Sequence, residues 1–125
     1  MRALPLFVLL AGCAATGAST SGAEDLAREL EGRVAGPAER CISANPPHNL
    51  TPVDARTLTY RDGGTIWVNR MEADCPGLRA YDRVLVESQG SQFCRGDHIR
   101  SLEPVGGIPG PVCFLGDFTP YRPRR

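Results

Sequence analysis

The spacing of apolar residues changes several times along this chain, and each change predicts a different element. Ala3 to Ala11 is a continuous apolar run, well short of the ~20 residues that span a bilayer as a helix. The following stretch, Ala14 to Ala23 (AATGASTSGA), is small, polar and aperiodic, and predicts a flexible tether. Leu26 and Leu30 then fall on one helical face. Ser21-Gly22-Ala23-Glu24 has capping-box spacing, Asp25 adds negative charge to the first turn, and Gly32 supplies a stop, so a short amphipathic helix of about two or three turns is expected. From Glu39 onward the period drops to two. Glu39 to Ala44 reads as a strand. Arg56 to Arg61 and Thr65 to Met71 flank Asp62-Gly63-Gly64 as a hairpin, with Leu58 and Tyr60 on one face. Asp82 to Ser88 and Gln92 to Leu102 flank Gln89-Gly90-Ser91 as a second hairpin, whose long arm breaks or bulges at Gly96. Val112 to Phe118 is the last strand. Pro46-Pro47, Pro76-Gly77 and Val105 to Pro111 are loops, because proline removes a ladder donor and glycine tolerates positive φ. The pattern predicts an all-β fold: a small twisted sheet or partly closed barrel of about six strands behind one short helix.

The apolar run ends in Leu10-Ala11-Gly12-Cys13, which resembles the lipobox of bacterial lipoproteins. That resemblance implies that residues 1–12 are a signal peptide, that Cys13 is lipidated, and that 13–23 tether a single domain over 24–121, with 122–125 as a basic tail. Ala14 follows the cysteine where an Asp would favour retention at the inner membrane. The expected location is therefore the bacterial envelope, facing the periplasm, with the outer membrane favoured.

With Cys13 assigned to lipid, five cysteines become four: Cys41, Cys75, Cys94 and Cys113. An even number in an oxidising compartment implies disulfides. A four-thiolate zinc site brings ligands in close pairs, whereas the separations here are 34, 19 and 19 residues. Each of the three pairings yields roughly 7–8 kcal/mol of loop entropy, so entropy does not choose among them. Because the first and last strands meet when a sheet closes, Cys41 to Cys113 with Cys75 to Cys94 is the expected arrangement.

Arg40-Cys41-Ile42, Cys75-Pro76-Gly77-Leu78, Phe93-Cys94-Arg95-Gly96-Asp97 and Cys113-Phe114-Leu115-Gly116-Asp117-Phe118-Thr119-Pro120, together with the hairpin pair, resemble a four-cysteine domain-of-unknown-function family of short exported bacterial proteins. The resemblance spans roughly residues 36 to 121. It supports the disulfides and brings no active site with it.

Charge narrows the function classes. All 14 basic residues are arginine, and losing Arg2 leaves 13 against 14 acidic residues, so the mature chain is near neutral and no nucleic-acid partner is expected. Candidate chemistry is sparse. His98 beside Asp97, with Cys94 and Ser101 nearby, has the residue types of a nucleophile, base and orienter, but a strand sets Cys94 and His98 about 13 Å apart and a disulfide removes the thiol. Val105 to Pro111 lacks the spacing of a phosphate loop. Arg95-Gly96-Asp97 spells an adhesion tripeptide, and Gly96 is more simply a bend; Asn49-Leu50-Thr51 is a glycosylation sequon only for eukaryotic machinery. His48, His98, Asp97 and Asp54 show no paired-ligand spacing, so no metal or cofactor is assigned. If Ile66 and Val68 face the core, Trp67, Asn69 and Met71 share the other face as a partner patch, unless a second layer covers it. The expected function is a membrane-tethered binding or scaffolding module acting on an envelope protein or ligand. The alternative is a small enzyme or metal-binding factor using His98 and Asp97.

Overall fold

The computed structural model describes Gly12 and residues 21–44, 49–88 and 90–125. The described residues form one helix, α1 (Ser21–Leu30), and the strands β1 (Arg33–Ala35), β2 (Cys41–Ser43), β3 (Thr51–Pro52), β4 (Thr57–Asp62), β5 (Thr65–Arg70), β6 (Arg83–Glu87), β7 (Gln92–Cys94), β8 (His98–Leu102), β9 (Cys113–Phe114) and β10 (Phe118–Pro123). They build three antiparallel sheets, in the orders β1-β10-β5-β4-β3, β2-β7 and β6-β8-β9. The all-β class and the short leading helix are as expected, and the described residues form no closed barrel. The strands are shorter and more numerous than the expected six, because glycine and proline interrupt nearly every run.

The first hairpin forms as its sequence predicts. Thr57↔Arg70 through Asp62↔Thr65 are in register, leaving Gly63-Gly64 as a two-residue turn. Gly63 has φ +56°, the left-handed value that a II′ turn requires at its first position. At α1, Gly32 ends the helix with φ +73°.

The second hairpin departs from expectation. β6 pairs with β8, not with the segment that follows the turn, and β7 peels away to pair with β2. The expected break at Gly96 is present, with φ +86°. The physical reason is burial: β7 carries Phe93 into the main core beside Ile42 of β2, which a simple hairpin arm would leave uncovered.

Both faces of the five-stranded sheet are covered. On one, Ile66 and Val68 meet Leu26 of α1 and Val53, with Leu30 and Tyr121 at the margin. Each such burial contributes about 1.5–3 kcal/mol relative to exposure. Gly22 permits this approach, since a Cβ there would overlap the Val53 carbonyl oxygen. Asp25 accepts hydrogen bonds from the Tyr81 hydroxyl and Arg28, and Arg61 pairs with Glu29. The Tyr81 bond, helped by Arg28, holds the Asp25 carboxyl below its usual 3.8, and the same bond holds the Tyr81 hydroxyl above its usual 10.0. On the other face, Leu58, Tyr60, Met71 and Phe118 join Ile42, Leu78, Phe93, Ile99 and Leu115 in the main core.

Two further expectations are corrected. First, the bridges are Cys41–Cys94 and Cys75–Cys113, not Cys41–Cys113 and Cys75–Cys94. First and last strands do meet, as β1 with β10, but neither carries a cysteine. Cys41 instead lies directly opposite Cys94 across the β2–β7 ladder, with the Cα atoms 4.0 Å apart. Second, the expected last strand divides into β9 and β10 around Leu115-Gly116-Asp117, and β10 runs on through Arg122 and Pro123. Those two residues are therefore strand, not tail: they pair with Val34 and Arg33, and the Arg122 guanidinium lies over the Trp67 ring, 5.8 Å from its centroid. Arg124 follows the strand and donates its amide to the Gly32 carbonyl.

Candidate functional site

The residues singled out from sequence end up in different places. Cys13 and His48 lie outside the described residues. Trp67, Asn69 and Met71 do share a face, but Asn69 is 0% exposed and Met71 is buried, because Phe93 of β7, Ile99 of β8 and the Leu115-Gly116 segment cover that face as a second layer. Trp67 is half-buried beneath Arg122. The three residues therefore form no exposed patch. Asn69 instead clasps the chain that crosses it: its Nδ2 donates to the Gly116 carbonyl at 2.7 Å and its Oδ1 accepts the Gly116 amide at 2.9 Å. A side chain thus stands in for a strand neighbour where the backbone ladder is interrupted.

Asp97 and His98 also take separate roles. Asp97 Oδ2 accepts the Cys94 amide at 2.8 Å and its own amide donates to the Cys94 carbonyl, closing the Cys94–Asp97 turn around Gly96. Asp97 is a turn clasp. His98 has Glu87 as its carboxylate neighbour, with Nδ1 3.6 Å from Oε2, because the β6–β8 register sets them opposite one another. Cys94 is a half-cystine and carries no thiol. Asp54 caps its own turn by accepting the Arg56 amide. Among the described residues no group of three or more His, Cys, Asp or Glu side chains could hold a metal ion. No described helix is long and apolar enough to cross a membrane, which leaves β-barrels unaddressed.

The best-formed hollow lies elsewhere. A cleft of about 400 Å³ opens between the Glu72–Pro76 segment, the Arg95-Gly96 turn and Val112–Leu115. Cys113, bridged to Cys75 in the core, lines it together with the apolar surface of Pro76, Val112 and Leu115. Phe114, 57% exposed, stands at its edge. Arg95 reaches Asp117 at 2.9 Å and also pairs with Glu72, so the rim is tied together by charge, and Asp74 adds an exposed carboxylate. On the far side of Gly96, a hollow of about 390 Å³ is lined by Glu87, Ser88, Asp97 and His98. Gly96 lines both hollows, and His98 of the second meets Phe114 of the first edge-on, with ring centroids 5.0 Å apart.

This arrangement suits recognition: a rigid apolar floor, one accessible aromatic ring and a charged rim are the parts from which binding hot spots are built. Glu72, Asp74 and Glu87 were not picked out by sequence reasoning, and Arg95 and Phe114 stood there only in the tripeptide and the cysteine contexts, without a site role. Only Phe114 had a usable local signal, an aromatic residue next to a bridged cysteine. Comparisons with protein-family models, with curated proteins and with solved structures find no match to this chain.

Proposed function

We propose that this chain is a lipid-anchored protein of the bacterial envelope, tethered through Cys13 and facing the periplasm from the outer membrane, whose domain is a binding module for another envelope component. It belongs on this reading with the four-cysteine exported proteins that its cysteine contexts resemble. The observation that carries the binding role is the cleft lined by Cys113 and its neighbours, with Phe114 exposed at its edge. A half-exposed aromatic directly after a bridged cysteine loses little conformational freedom when covered, which favours association. The carboxylates at Glu72 and Asp74 fit a partner segment that presents an apolar side chain beside a basic one.

The test is in-cell crosslinking of tagged full-length protein. A repeatable envelope partner should be captured by the wild type and by His98→Phe, which keeps a ring against Phe114 but has no ring nitrogen, and lost in Phe114→Asp. Loss of the cellular role in His98→Phe with Phe114→Asp unaffected would replace this reading with the enzymatic one. Cys13→Ser should lose both fatty-acid labelling and membrane association; retained label would remove the anchor.

A further inference from the structure

We propose that the Glu103–Pro109 loop is a membrane-contacting tip, with Val105 and Ile108 entering the headgroup and upper acyl region of the bilayer that holds the lipid anchor. The proposal rests on the Cys13 anchor and adds to it an orientation for the whole domain. Surface loops are normally polar, but from Pro104 to Gly116 this chain carries no charged residue at all. Val105 is 85% exposed and Ile108 60%, the two highest values among the large apolar side chains described. Single exposed hydrophobes are ordinary; two at the tip of a loop that has no polar side chain from Pro104 to Pro109, with Glu103 at its base, are not.

The tip is also preorganised. The Glu103 amide donates to the Ile108 carbonyl at 3.1 Å, Leu102 bridges Pro109, and Gly106 and Gly107 turn the chain with φ +85° and +63°. The loop therefore presents Val105 and Ile108 from a closed turn, so little ordering cost remains for insertion.

Its position matches the tether. A Cβ on Gly22, in the first turn of α1, would overlap Ala80, and Asp25 is bonded to Tyr81. Ala80 stands three residues before Arg83, the start of β6, and Arg83 pairs with Leu102, from which the loop projects. The helix end that receives the tether and the apolar tip thus leave the β6–β8 ladder at the same end. Only the seven residues 14–20 separate the anchoring cysteine from α1, a reach of at most about 29 Å over eight Cα–Cα steps. An anchor on so short a leash keeps this end of the domain near the lipid. Arg83, exposed opposite Leu102, supplies a cation for anionic headgroups at that end of the ladder.

The test uses full-length lipidated protein carrying a diazirine amino acid at Ile108 or, for comparison, at Phe114, which lies at the opposite end of the β8 strand beside His98. The protein is reconstituted into phosphatidylethanolamine–phosphatidylglycerol vesicles, floated, irradiated and analysed by mass spectrometry. Flotation reports the anchor, and lipid adducts report the tip. The expected result is flotation of both, with roughly tenfold more phospholipid adduct from position 108, since only a probe seated in the interface meets acyl chains continuously. Flotation with equal adducts, none, or adducts to protein alone from position 108 overturns the tip while leaving the anchor standing. Failure to float overturns both.

Discussion

Asn69 offers the sharpest test of how this fold is held together. Its amide is completely buried and makes both available backbone bonds to Gly116, 47 residues away in sequence. Replacing it with Ala leaves a buried N–H and a buried C=O without partners, each costing about 1–2 kcal/mol. The lost volume adds to that, so Asn69→Ala should cost about 3–5 kcal/mol in total. Asn69→Leu keeps the volume and loses only the bonds, at about 2–4 kcal/mol. A domain of this size has about 5–15 kcal/mol to lose, so either variant should remain partly folded in buffer. Urea unfolding followed by Trp67, two residues along the same strand, reads the effect directly. With a slope of about 1.3 kcal/mol/M, the midpoint should fall by roughly 2–4 M for Ala.

Asn69→Asp adds a pH signature. Burial raises the folded-state pKa of the new carboxyl above its unfolded value of about 3.9, and only the protonated form can donate to the Gly116 carbonyl. Its stability is therefore fully present below about pH 3.9 and is lost as pH rises through the folded pKa. The variant should lie nearer to wild type at pH 4 than at pH 7, while Asn69→Leu shows no such narrowing. A midpoint shift below about 0.5 M for both Ala and Leu would show that the clasp is dispensable and that the reasoning from buried bonds fails here.

Two other expectations are simple to check. Deleting Arg122–Arg125 removes two rungs of the β1–β10 ladder and the cation over Trp67, at about 1–3 kcal/mol, whereas deleting Arg124-Arg125 alone costs under about 1 kcal/mol; equal thermal midpoints for the two truncations would refute the strand assignment. Under native conditions a reductant with an alkylating trap should label half-buried Cys41 and Cys94 well before Cys75 and Cys113, which sit in the core, and the reverse order would contradict the burial of the second bridge.

The sequence carried its local instructions clearly. Ser21, Leu26, Leu30 and Gly32 bounded a helix that the structure places at Ser21–Leu30, and Gly63-Gly64 set a hairpin whose register follows from a two-residue turn. What was not legible depends on residues far apart along the chain. A polar Asn on the outward-reading face of a strand looks like surface until a glycine segment from another part of the chain arrives to use both its donor and its acceptor. Nothing near Asn69 announces Gly116, and the reciprocal signal, a glycine whose Cβ would strike the Arg70 carbonyl, exists only in three dimensions.

The second hairpin and the cysteine pairing failed for one shared reason. A tight turn at Gln89–Ser91 would set Glu87 opposite Phe93, yet its partner is His98, five residues further on. The intervening β7 leaves because its register with β2 achieves two things at once: Phe93 is buried beside Ile42, and Cys94 is set against Cys41. Once β7 has gone to β2, Cys94 is no longer available to Cys75. Cys113, entering on β9 beside Ile99, is the partner that remains. The same shift brings Glu87 to His98 and Phe114 to the opposite side of that ring, so the cleft and its neighbour exist only because the hairpin was interrupted. Pairing, register and site are here a single decision, and it is taken by the burial of Phe93, a residue whose own local pattern fits either arrangement equally well.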